Sequence, residues 1–253
     1  MLRRRTVPDE NGEAIRGIAH TATLEAAYGL NAWLTAAIVV PYVHKTQAAR
    51  ANGSTGGEAD RTVTGPADPL VAARMTVRGH ADPDPRALRV GVLVGLKLPV
   101  GAWRASDDLG RIPAVFQAGT GSFDAVVGAN AWLVPARRLA LTSAIVLRQP
   151  TSNPEGYRFG TSALATLDAR FDHLHPLSVT VGARMLAAAA DRLNGEHVHG
   201  SGGVRVLGRL GVVVHASDSL AFNVDALLTV YRAMSGDPLA PAFTLVAGAT
   251  ASF

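Results

Sequence analysis

Apolar and polar side chains alternate from Ile18 to the last residue, in segments much longer than the strands of soluble domains. In 243–253, Phe243, Leu245, Ala247, Ala249, Ala251 and Phe253 take one parity, while Thr244, Gly248, Thr250 and Ser252 take the other. In 221–235, Phe222, Val224, Ala226, Leu228 and Val230 oppose Asn223, Asp225, Thr229 and Tyr231. In 204–217, Val204, Val206, Leu210, Val212 and Val214 oppose Arg205, Arg209 and His215. Successive side chains on a strand point to opposite sides of the sheet, so each segment has one apolar and one polar wall. The same pattern predicts strands near 18–28, 33–46, 69–79, 87–101, 122–134, 139–149, 157–172 and 177–192, which makes eleven in all. Many run 11 to 16 residues, against a usual strand length of about 5–6. A tilted strand needs roughly 9–11 residues to cross a bilayer.

The connections alternate in length. Tight joints at 29–32, 81–86, 135–138, 173–176 and 218–219 separate longer Gly-, Pro- and Ser-rich stretches at 47–68, 102–121, 150–156, 193–203 and 236–242. Outer-membrane barrels join their strands in this way, with short periplasmic turns and longer external loops. Hydrophobic residues make up 48% of the chain and charged residues only 17%, against roughly 25% charged in a typical soluble domain. No apolar run approaches the roughly 18–20 residues of a transmembrane helix. Lipid tolerates no unpaired backbone group, so a chain like this enters a membrane only as a closed barrel. A soluble β-protein would bury its apolar walls inside and needs no such alternation of loop lengths.

The expected fold is therefore all-β: an antiparallel up-and-down transmembrane β-barrel over 18–253, in the bacterial outer membrane. Residues 1–17 are expected to form a flexible N-terminal segment, the remnant of an external loop. Single-chain bacterial barrels usually have an even number of strands. Eleven segments here imply about twelve strands when complete, with the first strand and a signal peptide upstream of Met1. Met1 to Arg5 looks like the charged opening of a signal peptide, but Thr6 to Glu10 stands where an apolar region belongs. The absence of cysteine agrees with an oxidising envelope compartment.

On a barrel the polar parity faces the interior. It collects Arg74, Arg78, Arg89, Lys97, Arg148, Arg158, Arg170, Arg184, Arg205 and Arg209, together with Glu25, Asp124, Asp168, Asp172 and Asp225. Charge on the lipid wall costs roughly 2–4 kcal/mol at the midplane, so this segregation is what a barrel demands. Two uses follow: the charges pair into a network that fills the bore, or surplus cations line a water path that favours anions. Trp33, Tyr42, Tyr157, Phe159 and Phe171 fall near strand ends and are expected to form interfacial girdles.

Other constellations carry less chemistry. Net charge is +4, but Lys and Arg are scattered singly apart from Arg3 to Arg5, and no nucleic-acid partner is expected. Gly119 to Ser122 lacks the lysine and the following helix of a phosphate-cradling loop, so its glycines read as the neck of an external loop. His197 and His199 lie one residue apart, which on extended chain places both rings on one side. They are the best metal candidate, yet too few other ligands stand near them to close a site, and a solvated loop is the expected reading. His20 and Ser143 take the lipid-facing parity but lie on distant strands with no acid partner, so no enzyme is expected. No cofactor is expected either.

Four stretches carry a family resemblance: Tyr28-Gly-Leu-Asn-Ala-Trp-Leu-Thr-Ala-Ala-Ile-Val-Val-Pro-Tyr-Val43, Gly95-Leu-Lys-Leu-Pro-Val-Gly101, Gln117-Ala-Gly-Thr-Gly-Ser-Phe-Asp124 and Tyr157-Arg-Phe-Gly160. In order and spacing the chain resembles the outer-membrane barrels known as meta-pathway of phenol degradation proteins, often called transporters. The resemblance implies an outer-membrane barrel, passage of small hydrophobic or aromatic compounds, and recognition of the terminal Phe253 by the barrel-assembly machinery. That family carries a signal peptide and an opening strand, where this sequence departs from it. The expected function is a pore or uptake channel for small molecules. The alternative is a non-conducting structural or interaction barrel whose external loops bind a partner.

Overall fold

The computed structural model describes residues 7–8, 14–15, 17–49, 59–79, 88–108, 110–174, 176–234 and 242–252. Of the expected N-terminal segment 1–17 only 7–8, 14–15 and 17 are described, Val7–Pro8 pairing with Ala14–Ile15, and the terminal Phe253 lies outside the described residues. One antiparallel sheet dominates. Its strands are β1 (Gly17–Gly29), β2 (Leu34–Ala49), β3 (Ala59–Pro66), β4 (Leu70–Arg78), β5 (Arg89–Lys97) and β6 (Asp124–Ala136), then β7 (Leu139–Pro150), β8 (Ser162–Leu174), β9 (Leu177–Ala188), β10 (Gly203–His215), β11 (Leu220–Met234) and β12 (Phe243–Ala251). Each strand pairs with its chain neighbours from β4 through β12, and β2 bridges β1 to β4, giving an eleven-strand curled half-barrel in which β3 continues along the same edge of β2 as β4. No helix of the described residues is long and apolar enough to cross a membrane, which says nothing of crossing by strands.

The strands expected from the alternation are present. The exception is β3, which occupies the second half of the stretch expected as a loop over 47–68. Residues 59–66 pair with 42–49 of β2, while 70–75 of β4 pair with 34–39. β3 and β4 are thus one strand broken at Ala67-Asp68-Pro69. Proline cannot donate to a ladder, so the break falls where pairing lapses. Ile18 to Gly29 and Thr35 to Thr46 keep a continuous register, His20 facing His44 and Tyr28 facing Ala36.

Up-and-down pairing puts the strand ends at Gly29 and Leu34, Arg78 and Arg89, Ala136 and Leu139, Leu174 and Leu177, and His215 and Leu220 at one rim, with mostly short turns. The connections 98–123, 151–161 and 189–202 lie at the other, the long-loop rim. The expected alternation in length does not hold throughout, since 79–88 is longer than 50–58 or 235–242. The two faces differ sharply. Leu24, Ile38, Val94, Ile145, Leu167, Val181, Leu210, Val224 and Leu245 share the outer face and are exposed, Val94 at 57% and Leu167 at 62%. Lys97, Asp124, Ser178, Thr180, Leu207 and Asp225 share the inner face and are buried.

Register shifts move two residues off their expected side. In β11, Leu207 pairs with Thr229 while Val206 pairs with Tyr231, so the skipped Val230 is a bulge and Tyr231 turns outward beside it. Such an extra residue reverses the parity of everything beyond it. The same device between Thr76 and Arg78 sets Arg78 opposite Val90, a residue of the outer parity.

A buried apolar cluster of Val43, Val63, Ala67, Ile112, Phe116 and Ala118 lies on the inner side at the long-loop rim. Val43 and Val63 come from β2 and β3, and Ile112, Phe116 and Ala118 come from the 98–123 connection, which therefore folds inward over the sheet rather than away from it. Gln117 ties the loop to itself, receiving the Ala105 amide at 2.9 Å and donating to the carbonyls of Ala105 and Ile112. Lys45 Nζ donates to the Gln117 carbonyl at 2.7 Å, and Arg61 forms a forked pair with Asp107 at 2.7 and 2.8 Å.

Candidate functional site

The inner face of the sheet is where chemistry concentrates. Strand pairing carries a single polar row across it: Arg74 and Thr76 on β4, Arg89, Gly91 and Lys97 on β5, Asp124, Asn130 and Trp132 on β6, Thr142 and Arg148 on β7, Asp168 and Arg170 on β8, Arg184 on β9, Arg205 and Arg209 on β10, and Asp225 on β11. Arg158 is not part of it. It lies in a small sheet of the long loops, where Tyr157–Arg158 pairs with Arg192–Leu193, which in turn pairs with Glu196–His197.

Two ion networks bind the row together. At the long-loop rim Asp68, from the break between β3 and β4, accepts four hydrogen bonds: from Lys97 Nζ at 2.6 Å, the Thr120 amide at 2.8 Å, the Thr120 hydroxyl at 2.7 Å and the Gly101 amide at 2.9 Å. Lys97 also donates to the Thr120 hydroxyl and the Ser122 carbonyl and lies 3.4 Å from Asp124. Asp124, fully buried, receives the Ser122 hydroxyl at 2.9 Å and pairs with Arg148 at 3.1 Å. Burial alone would raise the Asp68 carboxyl. The Lys97 and Thr120 hydrogen bonds outweigh it and hold the group below its ordinary range.

Midway down the wall Arg209 bridges Asp168 at 2.8 Å and Asp225 at 2.8 Å, and Asn223 donates to Asp225 at 3.1 Å. Both carboxylates lie flat over a glycine of the neighbouring strand. Asp168 faces Gly182, and Asp225 faces Gly211, in registered pairs whose added Cβ would strike the carboxylate oxygen. Asn130 over Gly91 and Asn223 over Gly248 repeat the arrangement. Nearer the short-turn rim Arg170 pairs with Asp172 at 3.1 Å.

Other cations of the row have no carboxylate beside them among the described residues: Arg74, Arg89 and Arg184. The Nε atoms of Arg89 and Arg184 are buried without a hydrogen-bond partner. Arg89 lies over the Trp132 ring at 5.0 Å. A cavity of about 680 Å³ opens on the inner face between Arg74 and Arg89, floored by Gly91 and walled by Leu93, Asn130 and Trp132.

At the long-loop rim a second cavity of about 330 Å³ lies between Trp103, Arg111, Glu155, Tyr157 and Leu193. Arg111 pairs with Glu155, and Arg104 stacks on Trp103 at 4.1 Å. Tyr157 and Phe159 pack edge-on at 4.9 Å, and the Tyr157 hydroxyl donates to Asp191 at 2.5 Å. These two rings are therefore part of the loop fabric, in place of the girdle position expected for them. Burial, then the bond to Asp191, pushes the Tyr157 phenol well above its ordinary range. Trp33 and Phe171 are exposed close to strand ends, whereas Tyr42, also exposed, lies in the middle of β2 opposite Ala22 and away from the strand-end position expected for it.

His197 ends its short strand and His199 stands in the following turn, both exposed. Among the described residues no group of three His, Asp or Glu side chains is placed to hold a metal ion. Sequence reading missed Asp68, Gln117 and Asp191. Asp68 precedes a proline inside a strand, which is the one signal that marks it; Gln117 and Asp191 act through contacts with loop backbone that leave no trace in spacing.

No family model and no curated protein matches the chain. Among solved structures it is similar to the crystal structure of the COG4313 outer membrane channel from Pseudomonas putida F1, with a TM-score of 0.71 and 13% identity over 96% of this chain and 86% of that one. At that identity the likeness establishes the fold: this chain has the curled antiparallel architecture of an outer-membrane channel.

Proposed function

We propose that this chain is a channel of the bacterial outer membrane that passes small solutes, including those with an apolar part. The observation that carries the reading is the segregation of its two faces. Large apolar side chains stand exposed along the outer face of strand after strand, while ion pairs and unpaired arginines occupy the inner one. A soluble sheet would bury the first and expose the second; lipid around the outside and water within account for both. The likeness to a solved channel supports the same reading. The partners proposed are the lipid bilayer and, through Phe253, the machinery that inserts barrels. No catalytic role is proposed.

Planar-bilayer recording of the refolded chain tests the channel. Discrete openings are expected, with a reversal potential displaced toward the anion under a salt gradient, because Asp124, Asp168, Asp172 and Asp225 are paired while Arg74, Arg89 and Arg184 have no carboxylate beside them among the described residues. A correctly folded, bilayer-inserted barrel that stays silent would overturn it. That outcome belongs to a second reading, a non-conducting barrel, which rests on the Arg209 bridge and the inward fold of loop 98–123.

A further inference from the structure

We infer that the inner-face cavity between Arg74 and Arg89 is a binding site for a small organic carboxylate, a proposal that rests on the channel reading and names a class of solute for it. Arg74 stands opposite Leu93 on β5, and Arg89 stands four residues along from Leu93 on the same face, a separation of about 13 Å along the strand. Between them lies Gly91, buried and without a side chain, so the wall is hollow between the two arginines. The hollow is kept by contact: a Cβ at Gly91 would meet Asn130 Oδ1 at 2.8 Å and the Met75 carbonyl at 3.2 Å.

Four features select the ligand. Neither arginine has a carboxylate partner among the described residues, and the Arg89 Nε is sealed from solvent with nothing to bond. Planar guanidinium forks recognise carboxylates in two-point contacts. The Asn130 amide and the Thr76 hydroxyl add donors to the head group's side. Leu93, Val146 and the Trp132 ring complete the lining with apolar surface that a bare inorganic anion leaves unused. The cavity's 680 Å³ holds a chain or ring of several carbons with water to spare. An acid with a hydrocarbon body satisfies both halves.

Trp132 supplies the assay. In the full chain refolded in detergent, with Trp33 and Trp103 replaced by phenylalanine, Trp132 is the sole tryptophan, since the chain holds three. Titration with hexanoate is expected to change its emission saturably, because the ligand's hydrocarbon body packs against the ring. Hexanamide, the uncharged analogue, and inorganic phosphate at equal concentration are expected to give no saturable change. Arg74→Gln and Arg89→Gln should each weaken hexanoate at least about tenfold, as expected for loss of a charge-assisted contact. Arg192→Gln, on the loop sheet, removes the same charge elsewhere and should leave the titration unchanged. Circular dichroism and heat-modifiable mobility establish that each variant is folded. An equal response to hexanamide, saturable binding of phosphate, or wild-type affinity in both folded arginine variants would overturn the site. A barrel that conducts but fails this titration loses the site and keeps the channel; one that binds hexanoate but never conducts loses the channel and keeps the site.

Discussion

Asp68 gathers four hydrogen bonds at the break between β3 and β4, at the long-loop rim, and it fastens three separate stretches of chain: the break itself, the end of β5 and the neck of the inward loop. Its carboxyl is held below the ordinary range, so the ionised form is the one the fold favours. The stability it lends is present above the unfolded carboxylate's pKa of about 4 and is lost as the pH falls through the lower folded value. Asp68→Asn is therefore expected to loosen the loop at neutral pH, while the wild type loosens only in stronger acid, and the two should converge there. Trp103 emission reports this, since its ring packs against Gly121 beside the same anchor. A difference that persists unchanged into acid would show that the charge of Asp68 is irrelevant to the anchor.

Among the elements, the 98–123 connection departs most from a plain barrel, because it turns its apolar residues back against β2 and β3. Phe116 is its main contact, 6% exposed. Phe116→Ala removes packing of the kind that costs about 3–5 kcal/mol in a core, enough to free the loop while leaving the ladders of the sheet intact. The expected result is a larger single-channel conductance with an unchanged strand signal in circular dichroism; unchanged conductance would mean the loop does not narrow the path. The alternation in sequence announced nearly every strand, because a sheet that is greasy on one side and wet on the other must repeat with period two. It did not announce β3. Arg61, Thr62, Val63 and Thr64 alternate too briefly, and Val63 is buried by a loop some fifty residues away in the chain. The bulges at Thr76–Arg78 and around Val230 were equally silent, since a skipped residue follows from local twist and leaves the apolar count unchanged. Of the inner charges, parity placed those on regular strands. Arg158 fell to the loop sheet because its segment leaves the spanning strand at Phe159 to Thr161.

For the molecule as a whole, the two-faced sheet makes a sharp statement about adjacent residues. Leu167 faces outward at mid-strand and Thr166 faces inward beside it. Leu167→Arg is expected to cost roughly 2–4 kcal/mol of stability in a bilayer, whereas Thr166→Arg should cost little and alter ion selectivity instead. Urea unfolding in lipid vesicles measures the first and reversal potentials the second. Equal costs at both positions would remove the distinction between the walls. The glycines beneath Asp168, Asp225, Asn130 and Asn223 then acquire a particular meaning. Each recess lets a bulky polar group recline along the inner face of the curled sheet, so width and charge become independent variables. Filling one recess with a methyl group would tip its occupant away from the wall and, in the proposed channel, narrow the path with every formal charge still in place.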